Sequence, residues 1–185
     1  MTKKFLIVGR SASGKTSIAS AACERSGLKM VKSYTTRPPR NEEEATNSKD
    51  HIFITEEDFA QYKDDIAAYA EINGNRYFTT HSKLDDNDAW DAYVISPDAI
   101  PPLKEKYKDK YQFIVVYVRT TQSIAKERAK KRRDGNVYDS RVESENEEFT
   151  AFEKSMNWDY HLLNNDTFDR AVETMCKFMK KEYNL

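Results

Sequence analysis

Near the start of the chain, Gly9-Arg10-Ser11-Ala12-Ser13-Gly14-Lys15-Thr16 has the residue types and order needed to hold phosphate. The glycines let the backbone curl so that successive N–H groups, from Ser11 through Gly14, converge on phosphate oxygens. A helix opening at the end of such a loop adds its positive terminus to that field. Lys15 is placed to neutralise the β- and γ-phosphates, and the Thr16 hydroxyl is a ligand for Mg2+. The pattern implies ATP as phosphoryl donor. The competing reading is a flexible turn with an incidental Lys and Thr. Context argues against it, because an apolar run, Phe5 to Val8, precedes the loop and an Ala- and Ser-rich helical stretch, Lys15 to Arg25, follows.

A phosphotransferase also needs an acceptor site facing the loop. Arg37 and Arg40 stand three apart in Tyr34-Thr35-Thr36-Arg37-Pro38-Pro39-Arg40, and the prolines stiffen the chain that presents them. Paired guanidiniums suit a phosphate because each offers planar, bidentate donors. On these residues alone, solvated arginines on a loop remain an open alternative. So does a solvated helix end for Lys130-Lys131-Arg132-Arg133, and a structural role for His51.

The elements that must position these groups read as an alternation of strands and helices. Phe5 to Val8 and Phe113 to Val118 read as buried strands, Ala92 to Ile95 resumes the strand and helix alternation, and Tyr160 to Leu163 reads as a last strand. Helices are expected over Lys15 to Arg25, Asp98 to Tyr107, Thr120 to Lys131, a charged stretch through Glu148, and Phe168 to Tyr183. Between the first two core strands the pattern changes. Ser33 to about Asp50 is polar and broken by proline, so a loop or irregular edge is expected there. His51 to Ile54 reads as a strand, Thr55 as an N-cap, and Asn73-Gly74-Asn75 as the turn of a hairpin. The alternation points to an α/β fold, a P-loop NTPase with a parallel sheet flanked by helices.

Composition excludes several classes. Lys+Arg 30 against Asp+Glu 31 leaves a net charge of -1 over 185 residues, so nothing draws the whole chain to nucleic acid or to acidic membranes. Cys23 and Cys176 are far apart and form neither a disulfide framework nor a zinc pattern. The apolar run after Lys3-Lys4 is too short for a signal-peptide core, and no segment is long enough to span a bilayer. The expectation is a cytoplasmic monomer or homodimer with no membrane or nucleic-acid partner.

Lys32-Ser33-Tyr34-Thr35-Thr36-Arg37-Pro38-Pro39-Arg40 resembles the GMP-binding signature of guanylate kinases. The resemblance extends to Asp50 to Phe53, to the acidic helix start Glu56-Glu57-Asp58-Phe59 and to Gly74-Asn75-Arg76-Tyr77. It continues through the spacing of Arg128, Arg132 and Arg141 to the strand and turn Asp159 to Asp166, nearly the whole chain. It implies a nucleoside monophosphate kinase moving the ATP γ-phosphate to GMP, dGMP or a related nucleotide. Arg37, Arg40 and Tyr77 would hold the acceptor phosphate, with Ser33 and Thr79 at the base. Arg132 and Arg141 would close over the transferring group as catalytic residues with Lys15 and Arg37. Asn164 would lie near the adenine. The implied organisation is one domain with five strands in the parallel sheet, its core in 1–32, 89–129 and 150–185, an acceptor-binding insertion at 33–88 and a lid at 130–149.

Departures from the family pattern cluster at the acceptor base. His51 stands where the family has Tyr, and the guanine-reading Glu falls on Ala68. Phe78 replaces a Gly after the motif tyrosine, close to the expected acceptor, and the acidic strand end is replaced by Val94-Ile95-Ser96-Pro97. Glu71 or Asp98 would have to supply the missing carboxylate; Asp98 could equally cap the next helix. Two alternatives stay open: a P-loop kinase of another nucleotide or phosphorylated small molecule, and a non-catalytic guanylate-kinase-like protein-binding module.

Overall fold

The computed structural model describes residues 1–131 and 135–184. In chain order the elements are β1 (Thr2–Val8), α1 (Lys15–Ser26), β2 (Ser33–Thr35), α2 (Glu42–Asn47), β3 (His51–Phe53), α3 (Glu56–Phe59), β4 (Ile66–Ile72) and β5 (Asn75–Thr80). There follow α4 (His81–Asp85), β6 (Ala92–Val94), α5 (Ile100–Lys106), β7 (Tyr111–Arg119), α6 (Gln122–Lys131), α7 (Gly135–Ser155), β8 (Tyr160–Leu163) and α8 (Phe168–Tyr183).

Four of these strands form a parallel sheet in the order β6-β1-β7-β8. Strand periodicity divides the core between its two faces. Leu6 and Val8 of β1, with Val115 and Tyr117 of β7, join Leu103, Tyr107 and Phe152 on one side. Phe5, Ile7, Val116 and Val118 join Ile18 of α1 and Val172, Met175 and Met179 of α8 on the other. Both faces are covered, which is why β1 and β7 read as unbroken apolar runs.

The expected fifth strand is not formed among the described residues. In its place is a single parallel bridge, Met30 to Ala92. Lys29 and Val31 still bond along β6, through Asp91 N–H and Ala92 N–H to Lys29 O and Val31 N–H to Ala92 O. Immediately afterwards the chain turns away at Ser33 to enter a second sheet, so the pairing ends there.

That second sheet has the order β3-β2-β5-β4. Its centre corrects the expectation of an irregular loop after Ser33. β2 runs parallel to β3 and antiparallel to β5, and the proline-rich stretch begins only beyond it. The acidic run folds as α2, with Asn41 accepting from Glu44 N–H and three glutamates at the positive end of the helix. Phe78 is also corrected. It lies on the face of β5 opposite Tyr77 and is fully buried, stacked on Tyr34 at 5.1 Å and edge-on to Phe59 at 5.2 Å. The bulky residue fills the second sheet's own small core rather than crowding the cleft.

Among the described residues no helix is long and apolar enough to cross a membrane. Both cysteines are free; Cys23 packs inside the α1/α8 layer, where burial pushes its thiol up to about 12 and keeps it unreactive.

Ile7 lies in the strand that delivers the phosphate loop and has no exposed surface. Ile7→Ala is expected to cost about 2–5 kcal/mol of stability, read as a lower urea midpoint at unchanged slope.

Candidate active site

Outside contacts fix the shape of the phosphate loop. Gly9 follows β1 so closely against β7 that a Cβ there would stand 2.4 Å from Val118 O and 2.7 Å from Ser13 Oγ. Gly14 takes φ +87, and a Cβ on it would meet Asn164 Nδ2 at 2.5 Å. The Ser13 carbonyl accepts from Asn164 Nδ2 at 2.8 Å and from Arg128 at 3.3 Å. Arg128 also donates to Asn164 O at 3.1 Å, and Asn164 N–H bonds Arg119 O at 2.7 Å. Asn164, buried at the end of β8, thus grips the loop itself. Ala12 has φ 60, a left-handed conformation that an L residue adopts at a cost. Lys15 and Thr16, opening α1, and Ser11 and Ala12 line a cleft of about 1260 Å³.

The arginine pair lies across the same cleft. Arg37 is buried, and its guanidinium donates to Glu44 at 2.8 and 3.2 Å and to Pro38 O at 2.8 Å. Arg40 donates to the same carboxylate at 2.9 Å. Burial alone would raise the pKa of Glu44, but the Arg37 and Arg40 hydrogen bonds outweigh it and hold the carboxyl at about 2. One carboxylate therefore sets the spacing of both guanidiniums.

Tyr77 and Ser33 face this cleft from β5 and β2. His51, on β3, bonds Ser33 Oγ through Nδ1 at 3.0 Å and lies 3.4 Å from Asp50 through Nε2. Its ring meets Tyr77 edge-on at 5.6 Å, and burial pushes its pKa down, which favours the neutral imidazole. Thr79 shares the Tyr77 face of β5 and pairs with Ala68; its buried Oγ1 has no hydrogen-bond partner among the described residues. Ser33, His51 and Ala68 thus line the cleft from β2, β3 and β4, with Asp50 beside His51, while Thr79 of β5 is fully buried.

The two residues expected to supply the missing carboxylate sit elsewhere. Glu71 reaches the rim of the cleft along the edge strand β4, but its carboxylate accepts from the Tyr69 hydroxyl at 3.1 Å. Tyr69 points to the outer face, towards Phe59 and Arg76. Asp98 is exposed in a 3-10 turn, and its backbone N–H donates to Glu148 at 3.0 Å.

Arg141 lines the cleft from α7, with a buried Nε lacking a partner among the described residues. Arg132 lies outside the described residues. Sequence reasoning missed Glu44, Glu145 and Glu148. The last has its pKa raised by burial, opposed by the Asp98 N–H and by Lys15. Arg141, Glu145 and Glu148 recur at i, i+4 and i+7, the spacing of one helix face, and that was the available signal.

Two expectations follow. The ion pair of Glu44 with the arginines contributes stability in full above the unfolded value of 4.5, and this is lost as pH falls through about 2. The difference in Tm between the wild type and Glu44→Gln should accordingly shrink across that interval and hold steady above it. Ala12→Gly should relieve the left-handed strain and raise the unfolding free energy by about 1 kcal/mol in a urea titration.

The family model described as guanylate kinase matches residues 1–182. A guanylate kinase of Francisella tularensis subsp. holarctica (strain OSU18) is 27% identical over 187 residues, covering 96% of this chain and 95% of its own. One from Fusobacterium nucleatum is 34% identical over 84 residues, 44% of each chain. Among solved structures, guanylate kinase from Anaplasma phagocytophilum superposes with a TM-score of 0.65 at 19% identity, over 98% of this chain and 86% of that one. A P-loop fold of this topology, matched by one family model from its first residue to within a few of its last, places the chain in the guanylate kinase family.

Proposed function

We propose that the protein is an ATP-dependent nucleoside monophosphate kinase, moving the γ-phosphoryl group of ATP to the phosphate of GMP, dGMP or a related nucleotide. The observation that supports this most is the pairing of two cationic sites across one cleft, Lys15 with the phosphate loop on one wall and Arg37 with Arg40 on the other. Phosphoryl transfer is mostly positioning and charge stabilisation, and this arrangement supplies both. The complete phosphate loop speaks against a module that only binds proteins.

In this reading residues 33–88 bind the acceptor and 130–149 form a lid that brings Arg141, with Arg132, over the transferring group. Closure would exclude water that could otherwise take the phosphoryl group. Magnesium fits the donor set. Thr16 lines the cleft beside Lys15, and its hydroxyl would be the protein's ligand to the ion. This suits a cation held chiefly by substrate phosphates and water. When bound it would neutralise charge developing on the phosphates. Lys15 would bind and orient the donor phosphates, Arg37 and Arg40 the acceptor phosphate, and Tyr77 would flank them.

A second reading, in which the acceptor carries another base or is another phosphorylated small molecule, is favoured by the base end. Where the family pattern has its guanine-reading Glu this chain has the Ala68 methyl, beside the Ser33 hydroxyl and the His51 imidazole, and a buried donor left without an acceptor costs about 1–3 kcal/mol.

A coupled ADP-release assay with GMP, dGMP, AMP, CMP, UMP and dTMP tests the proposal. Acceptor-dependent turnover should fall by about 10²–10³ in Lys15→Ala, and Arg37→Ala should chiefly raise the acceptor KM. ADP release that no monophosphate stimulates would sink the kinase reading. Turnover highest with a non-guanine acceptor would decide for the second.

A further inference from the structure

Helix α7 does more than present Arg141. The Glu145 carboxylate accepts from the Ser11 backbone N–H at 2.8 Å and from the Ser11 hydroxyl at 3.1 Å. One residue earlier in the loop, Arg10 donates to Glu153 at 3.1 and 3.3 Å and to Asn146 at 3.3 Å. The Arg10 guanidinium also lies 5.1 Å from the centre of the Phe149 ring. Consecutive residues of the phosphate loop are therefore fastened to one face of one helix.

The two fastenings differ in kind. Arg10 is a cation held by an anion and a ring, and nothing in phosphate binding requires it to let go. Ser11 is different, because its amide belongs to a loop whose N–H groups serve anionic oxygens. Glu145 already supplies such an oxygen, with full charge and in two-point geometry. Glu148 stands one turn further along the same helix and also lines the cleft, so two carboxylates of α7 stand near the loop and Lys15. A triphosphate entering the loop meets like charge in a partly desolvated cleft, where repulsion is weakly screened.

We propose that Glu145 is an affinity-setting residue of the donor site: an internal anion on Ser11 that the nucleotide phosphates displace, so that α7 shifts when the donor binds. Displacement lowers the apparent affinity by the worth of the bond given up, and the loss reports occupancy of the loop to the helix that carries Arg141. Arg10, Glu153 and Phe149 keep the far part of α7 attached while the Glu145 turn lifts. This rests on the phosphate loop being the donor site, but not on the identity of the acceptor or on turnover.

The test is equilibrium binding of ADP and of ATP, each with magnesium and without acceptor, by isothermal titration calorimetry. Glu145→Ala should tighten both by about tenfold or more, the equivalent of losing one charge-assisted hydrogen bond that must be broken. Glu145→Gln, which keeps the shape and removes the charge, should tighten them in the same direction. Amide exchange over 138–149 should rise when ADP is added to the wild type, and should already be raised in Glu145→Ala. Affinity unchanged or weakened in both variants would overturn the proposal and make Glu145 a brace for the loop; so would exchange that ADP leaves unaltered. Because neither readout involves an acceptor, a failure here is separable from a failure of the kinase assay.

Discussion

The phosphate loop keeps its curl because the ends of two other elements hold it, and much of the structure follows from that constraint. The Ser13 carbonyl accepts from Asn164 and Arg128, and the Ser13 N–H closes the loop on Arg10 O. Asn164 follows β8 and Arg128 belongs to α6, so the far edge of the sheet and that helix both close on one peptide group. The parallel pairing of β1 with β7, and of β7 with β8, brings these residues into register. Gly9 and Gly14 occur where they do because those contacts leave no room for a side chain.

A second theme is that the protein answers its own charges. A net charge of -1 hides two intensely cationic sites, and in this structure each is engaged by a carboxylate of the same chain. Glu44 draws Arg37 and Arg40 together, while Glu145 holds Ser11. Buried guanidiniums and converging amides are costly to leave unpaired, so such carboxylates stabilise the site's shape.

The base end follows another logic. Phe78 would block the cleft if it faced inward, yet the period of a strand turns it to the opposite face from Tyr77. There it joins Tyr34, Phe59 and Tyr62 in a small aromatic core. The same alternation sends Glu71 outward and leaves Ala68 and Thr79 inward. A single period-two rule thus explains both a tolerated bulky residue and a missing carboxylate.

Much of this was legible in the sequence. The runs at Phe5 and Phe113 specified buried parallel strands because apolar residues on both faces permit little else, and the spacing of Gly9, Gly14, Lys15 and Thr16 specified a phosphate loop. Arg37 and Arg40 were visible as a pair, since neighbours on a stiff segment must share a neighbourhood. What tertiary structure alone decided were meetings across long separations. No local pattern shows that Asn164 grips Ser13, that Glu145 reaches Ser11, or that Glu71 faces away from Thr79. Those depend on which strand lies beside which and on the register between them. Local chemistry wrote the phosphate loop, and packing of distant elements determined what holds it, what competes for it and what faces it.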